Sequence, residues 1–218
     1  MKYYFSITKL MMLSLILVSC DYHHYTTSLV LPPKPIEKGQ IDVNGGIEIM
    51  PASTDEPIHA PGISVSSTFG IDHLKGINTR LFWADDVNGG LSVSLLKGEE
   101  MSKNRRIYHC PRIGTTIGGY GTGIALGYEF IFQKSFNNAS FYTGIGVGVG
   151  ADADDLFGDY GTALTSKFGL SIMSKENLRL SLEFNPIIQS YEGEGTAVYN
   201  SSISVGYLIT KNKTSLSQ

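Results

Sequence analysis

The stretch that decides the fold is SFYTGIGVGVGAD, residues 140–152, in which two kinds of side chain alternate. Glycine occupies every second position from Gly144 to Gly150, and β-branched residues fill the positions between them. An alternation of period two is typical of a β-strand whose two faces meet different surroundings. Glycine weakens a strand because it offers no side chain to pack, so a face made of glycine predicts that other groups approach it closely.

The same alternation runs through the chain from Gly39 almost to the C-terminus. It recurs in IDVNGGIEI (41–49), ISVSSTFGI (63–71), GIALGYEFIF (123–132) and LRLSLEFNPI (178–187). Each run is near the length of about 9 to 11 residues that a tilted strand needs to cross a bilayer. No amphipathic helix of useful length lies between the runs. The pattern predicts an all-β, antiparallel, hairpin-connected sheet.

The number of runs predicts a barrel of eight to ten strands, with ten favoured. Nine runs are clear, and a tenth is predicted within Asn104–Ile117, where RRIYHCPRI alternates poorly. If one N-terminal run does not span the membrane, the count is eight instead. We expect both ends of the chain on the same side of the membrane, which requires an even number of strands in an up-and-down transmembrane barrel.

The composition of the second face indicates which side of the sheet meets lipid. The face opposite the apolar residues is rich in Gly, Ala and Ser, which suits a crowded interior. Charged residues make up only 17% of the chain, which is little for a water-exposed surface. We therefore predict apolar side chains outward in lipid. The alternative is a periplasmic lipoprotein with a soluble, lipocalin-like barrel, in which the apolar faces surround a hydrophobic ligand.

Long polar side chains are expected in the space that the glycines leave inside the barrel. A charge network in the lumen is predicted from Glu129, Lys167, Arg179 and Glu183. Pairing Ile172 with Leu178 across the link MSKEN sets a hairpin register that places Lys167 directly opposite Glu183. The sequence thus predicts an interior salt bridge between these two residues.

The N-terminus MKYYFSITKLMMLSLILVSC has the features of a secretory signal. Its apolar core, Leu10–Val18, is too short to span a bilayer as a helix. The last four residues, LVSC, look like the lipobox of bacterial lipoproteins, so Cys20 is expected to carry lipid. The predicted organisation is a signal peptide (1–19), a lipidated, proline-bearing extended tether (20–38), a β-barrel (39–210) and a C-terminal tail (211–218).

These features together resemble the outer-membrane β-barrel lipoproteins of diderm bacteria. The resemblance rests on LVSC, on the tether that leads to EKGQIDVNGG, and on strand signatures such as GIALGYEF and YTGIGVGVG. It implies an outer-membrane location, with membrane lipid contacting the Cys20 anchor and the barrel exterior. Asp21 resembles the inner-membrane retention signal of enteric bacteria, so the inner membrane or the periplasm stays open as an alternative.

Charge and ligand patterns give few indications of other partners. The net charge of −3 at pH 7 argues against nucleic acid. No cofactor or metal is expected, and the oligomeric state has no signal in the sequence. The weak candidate for a Ca²⁺ site is the acidic group Asp152, Asp154, Asp155 and Asp159, which lacks the spacing and the final glutamate of an EF-hand loop.

The sequence provides no convincing set of catalytic residues. The histidines are at positions 23, 24, 59, 73 and 109, and none lies in the C-terminal strands beside a plausible serine nucleophile. His73 next to Asp72, and Cys110 next to His109, are the nearest approaches to a reactive pair. We predict a non-catalytic barrel with a structural, adhesive or narrow-pore role. A lipid-modifying enzyme embedded in the membrane is the remaining alternative.

Overall fold

Ten antiparallel strands make up the fold. The computed structural model describes residues 29–51, 59–84, 88–118, 121–152, 160–191 and 194–210. The strands are β1 (Ile41–Pro51), β2 (His59–Asp72), β3 (Lys75–Ala84), β4 (Asn88–Ser102), β5 (Arg105–Gly118), β6 (Gly121–Phe136), β7 (Ala139–Asp152), β8 (Tyr160–Met173), β9 (Leu178–Tyr191) and β10 (Glu194–Ile209). Within these ranges, no helix is long and apolar enough to cross a membrane.

The strands close into a barrel in chain order. Each strand pairs with its neighbours in sequence, and the ring closes between β1 and β10 with pairs from Ile41↔Ile209 to Ile49↔Ser201. The prediction of a ten-stranded, up-and-down antiparallel barrel is confirmed, including the weak tenth strand, which is β5. The strands contain 10 to 16 residues, so most are longer than a bilayer requires.

The two faces of the barrel wall have opposite character. Ile47, Ile145 and Trp83 face outward and are 68%, 65% and 64% exposed. The charged and amide side chains within the strands mostly point inward and are buried. The lipocalin-like alternative is therefore wrong, because it places the apolar strand faces inward. Leu180, for example, is 49% exposed on the outside.

Short turns connect the strands at the end of the barrel where β1 begins, which we call the turn end. These turns are His73–Leu74, Lys103–Asn104, Asn137–Asn138 and Ser174–Asn177. Asn137 and Asn177 adopt positive φ angles of 49° and 66°, which asparagine tolerates better than most residues. Leu74 has a φ of 59° and is buried, and its N–H donates to Ile36 O at 3.2 Å.

The register between β8 and β9 differs from the prediction by two residues. Ile172 pairs with Leu180, and Met173 pairs with Arg179. The turn Ser174–Asn177 sets this register, because Ser174 N donates to Leu178 O at 2.7 Å. A shift of two residues leaves every side chain on the same face, so alternation alone does not distinguish the two registers.

The last part of the predicted tether lies inside the barrel. Leu29, Val30, Leu31 and Ile36 are buried, and Leu29 and Leu31 are each only 1% exposed. We call residues 29–36 the lumen segment. It lies at the turn end, since its C-terminal end contacts the β2–β3 turn through Ile36 and Leu74. The expectation of a tether from residue 20 to 38 is therefore corrected, because the part from residue 29 onward belongs to the folded barrel.

Candidate functional site: the barrel lumen

In the described part of the chain, most inward-facing charges of the lumen belong to three clusters, of which the central one contains three of the four predicted residues. Lys167 Nζ lies 3.3 Å from Glu129 Oε2 and 3.6 Å from Glu183 Oε1. Arg112 Nη2 lies 3.2 Å from Glu129 Oε2. Lys167 and Glu183 thus form an ion pair, although the register from which we predicted it was wrong. These side chains are at most 4% exposed, so the network excludes bulk water.

The fourth predicted residue, Arg179, belongs to a different cluster at the β1–β10 junction. Its Nη2 lies 2.8 Å from Asp42 Oδ2 and donates to Asn44 Oδ1. Asn44 Nδ2 also donates to Asp42 Oδ2 at 3.2 Å. The Asp42 and Arg179 side chains are both fully buried. This ion pair ties β9 to β1, which is separated from it in the sheet by β10.

A third cluster is built around Glu48. Arg80 donates to Glu48 Oε2, and the Ser64 hydroxyl donates to Glu48 Oε1. Asn200 Nδ2 donates to Glu48 Oε2 at 3.2 Å. The Arg80 guanidinium also lies 4.9 Å from the centre of the Phe82 ring. Glu48 and Arg80 are not among the residues predicted for the lumen, although both occupy the inward phase of their strands.

The glycine face of β7 provides space for the central cluster. A Cβ atom on Gly146 would lie 2.8 Å from Glu129 Cγ and 2.7 Å from Thr165 Oγ1, closer than real contacts allow. A Cβ on Gly206 would similarly lie 3.0 Å from Arg179 Nη2. Strands that carry glycine on the inner face therefore let long side chains from other strands cross the lumen.

The lumen segment is held through its backbone carbonyl groups. Gln133 Nε2 donates to Pro32 O at 2.8 Å, and Ser135 Oγ donates to Pro33 O at 2.8 Å. Arg106 Nη1 donates to Pro33 O at 3.2 Å. Proline has no N–H, so its carbonyl is the one backbone group that needs a partner when it is buried. Side chains of β5 and β6 supply those partners.

The segment also fills an apolar pocket inside the barrel. Its leucines belong to a buried cluster of Leu29, Leu31, Leu74, Leu96, Tyr108, Cys110, Ile131 and Tyr142. The Leu29 N–H donates to Glu183 Oε1 at 3.4 Å, which links the segment to the central cluster. This pocket explains why β5 alternates poorly, because Tyr108 and Cys110 face inward but meet the apolar segment.

The candidate reactive pairs of the sequence analysis do not form a catalytic arrangement. His73 Nδ1 lies 2.8 Å from Glu37 Oε1 and its Nε2 lies 3.7 Å from Glu100 Oε1, at the turn end. His109 points outward, with Nδ1 2.6 Å from the Tyr128 hydroxyl. Cys110 points inward and is fully buried. Adjacent strand residues face opposite sides of the wall, so His109 and Cys110 cannot act on one substrate.

Several residues singled out in the sequence lie outside the part that the structure describes. They are Cys20, Asp21, His23, His24, the Asp152 side chain, Asp154, Asp155 and Asp159. The lipid anchor and the weak Ca²⁺ candidate therefore stay predictions. Among the described residues, no group of three or more His, Cys, Asp or Glu side chains could hold a metal ion.

Comparison with known proteins shows a likeness in fold. No protein-family model matches the chain, and no curated protein matches it in sequence. One similar solved structure is a bacterial polysaccharide outer membrane secretin, with 11% identity and a TM-score of 0.45, covering 78% of this chain and 66% of that one. The chain thus spans slightly less than two thirds of the secretin.

Two smaller barrels are also similar. The KdgM porin in complex with disordered oligogalacturonate has 11% identity and a TM-score of 0.43, covering 78% of this chain and 98% of that one. Ail, the attachment invasion locus protein of Yersinia pestis, has 12% identity and a TM-score of 0.32, covering 79% of this chain and 99% of that one. At these identities, the likeness concerns the fold alone.

Proposed function

We propose that this chain is a lipid-anchored, non-catalytic outer-membrane barrel with a structural or adhesive role, whose lumen permits at most a narrow pore. The apolar exterior supports the membrane location, because such a surface is unfavourable in water. The lipobox-like LVSC supports an anchor on Cys20. The separate positions of His73, His109 and Cys110 support the absence of catalysis.

The observation that carries this proposal is the filled lumen. The lumen segment occupies the turn end, and three clusters of buried ion pairs cross the interior. Small barrels are closed by their own side chains in this way, whereas wide barrels leave an aqueous channel. A filled interior leaves the outer wall and the ends of the barrel as the surfaces available to partners.

Conductance in planar bilayers tests the filled lumen. We expect the full-length mature chain to give far smaller current steps than an open porin. Leu29→Asp/Leu31→Asp places two carboxylates in the apolar pocket, so it should displace the segment and increase the conductance severalfold. Lys34→Asp/Lys38→Asp changes two exposed residues nearby and is the matched control. Large steps from the unaltered chain, or identical currents from all three proteins, would contradict the proposal.

Metabolic labelling tests the anchor separately. Cells that express the full chain should incorporate radiolabelled palmitate into it, and Cys20→Ser should abolish the label. Cys110→Ser is the matched control, because this cysteine is buried in the barrel and is not preceded by a lipobox. Label that persists in Cys20→Ser would exclude Cys20 as the lipidated residue.

A further inference from the structure

Basic side chains gather on the outer face of β3 to β6 near the turn end. Lys97, Arg105 and Lys134 point away from the lumen, as the burial of the adjacent Leu96 and Arg106 shows. We call Lys97, Arg105 and Lys134 the basic patch. It lies on three successive strands, β4, β5 and β6.

The strand register brings these cations directly opposite other cations. Arg105 pairs with Lys134, and Lys97 pairs with Lys75. Like charges that face each other across strands destabilise a sheet. An arrangement that costs stability in the isolated chain indicates that an anion offsets it in the native setting.

Carboxylates of the described chain compensate this patch only in part. Asp72 Oδ2 lies 3.4 Å from Lys75 Nζ, outside the patch. Glu99 lies on the outer face of β4 between Lys97 and Arg105, because its register partner Ile107 is two residues from Arg105. Within the described ranges, no carboxylate lies at ion-pair distance from Lys97, Arg105 or Lys134. The patch therefore keeps positive charge free for an external partner.

The patch begins where the apolar surface of the barrel ends. The exposed Leu95 precedes Lys97 by two positions. The exposed Phe141 pairs with Lys134 across the β6–β7 ladder. Lys134 Nζ also lies 4.8 Å from the ring centre of the exposed Phe136. Aromatic and basic residues at the edge of an apolar belt lie at the level of lipid head groups.

The patch is confined to one side of the barrel. On the other side, the exposed Lys175 lies in the β8–β9 turn, but the described outward strand positions near the turn end are apolar; they are Leu170, Ile172, Leu178, Leu180, Tyr207 and Ile209. If rim lysines only extended their ammonium groups toward water, cations would lie at strand positions around the whole circumference. A one-sided patch instead suits a bound lipid molecule at a defined place.

We propose that the basic patch binds the phosphate head group of an anionic phospholipid of the surrounding membrane. Lysine and arginine donate charge-assisted hydrogen bonds to phosphate, and the adjacent Leu95 and Phe141 contact the acyl chains. Bound lipid offsets the repulsion between Arg105 and Lys134. This inference rests on the proposed membrane location, but it depends on neither the lipid on Cys20 nor the closure of the lumen.

Native mass spectrometry of the full chain in neutral detergent tests the site. With phosphatidylglycerol and phosphatidylcholine supplied equally, the unaltered protein should retain phosphatidylglycerol severalfold better. Lys97→Gln/Arg105→Gln/Lys134→Gln should reduce this ratio to about one, since the charges that recognise phosphate are gone. Lys34→Gln/Lys38→Gln/Lys175→Gln removes as many exposed charges elsewhere and should keep the ratio. The gel shift on boiling verifies that each variant is folded.

Three results would overturn the proposal: no preference in the unaltered protein, a preference that survives in the patch variant, or an equal loss in both variants, which would indicate net charge alone. A second measurement uses Lys97→Gln, which removes the repulsion between Lys97 and its register partner Lys75. Without added lipid, it should raise the midpoint of thermal unfolding, and added phosphatidylglycerol should cancel that advantage. A lower midpoint of thermal unfolding without lipid would show that repulsion at Lys97 does not destabilise the protein.

Discussion

At the scale of single residues, buried ion pairs are the most sensitive points of the lumen. Glu48 is 1% exposed and accepts hydrogen bonds from Arg80, Ser64 and Asn200. Taking such a carboxylate out of water is costly, and its attraction to Arg80 offsets that cost only while both partners are present. Loss of one partner leaves the other charge buried and uncompensated.

Glu48→Gln should therefore destabilise the barrel strongly. We expect a loss of about 3–5 kcal/mol in the free energy of unfolding, measured by urea titration of the protein in detergent. Glu176→Gln, in the exposed β8–β9 turn, is the matched control and should change it by less than about 0.5 kcal/mol. The double variant Glu48→Gln/Arg80→Met should recover part of the loss. Equal stability of Glu48→Gln and Glu176→Gln would show that Glu48 does not form a stabilising buried ion pair.

The inward residues were predictable from strand phase, but their partners were not. The phase of the alternation placed Glu129, Lys167 and Glu183 in the lumen, and the same rule applied to every strand would have included Glu48. The Arg179–Asp42 pair depends on the closure of β10 onto β1, a contact between residues far apart in sequence. Alternation within a strand contains no information on such a contact.

At the scale of elements, the lumen segment is the element that differs most from the prediction. Its prolines remove any regular period, and its carbonyls bond to side chains of distant strands, so a tether was the natural prediction from sequence. The available signal was the poor alternation of β5, where Tyr108 and Cys110 give the inner face an apolar character. An apolar inner face in a polar lumen indicates that something apolar must cover it.

A disulfide crosslink can locate the segment. In a Cys20→Ser/Cys110→Ala background, Pro33→Cys/Ser135→Cys should form an intramolecular disulfide on mild oxidation, because Ser135 Oγ lies 2.8 Å from Pro33 O. Gel mobility with and without reductant measures the crosslink. Pro33→Cys/Lys134→Cys is the control, since Lys134 is the adjacent residue on the outer face. Equal crosslinking of both pairs would argue against a segment inside the barrel.

At the scale of the whole molecule, the orientation of the wall was predictable because the membrane restricts the choices. A spanning sheet must satisfy every backbone group internally, so it closes, and its lipid side must be apolar. Alternation, strand number and the small residues of the inner face were sufficient for that conclusion. The β8–β9 register was not predictable, because it depends on the hydrogen bonds of the turn Ser174–Asn177.

Ile145→Arg tests the orientation of the wall. Ile145 lies midway along β7 on the outer face, so a charge there should cost about 2–4 kcal/mol of folding free energy in a bilayer. Folding titrations into phospholipid vesicles measure this cost. Ile145→Leu is the control and should leave stability nearly unchanged. An unchanged stability of Ile145→Arg is the result expected of a water-exposed residue, and it would contradict the lipid-facing assignment.

The position of the lumen segment next to β1 has a consequence for assembly. Residue 40 leads directly into Ile41, and β1 is one of the two strands whose pairing completes the ring. Threading a proline-rich peptide into an already finished cylinder, through an opening crowded by Arg106 and Gln133, would be slow. We therefore expect the sheet to curve around the lumen segment before the barrel closes. The final pairing of β1 with β10 would then enclose the segment.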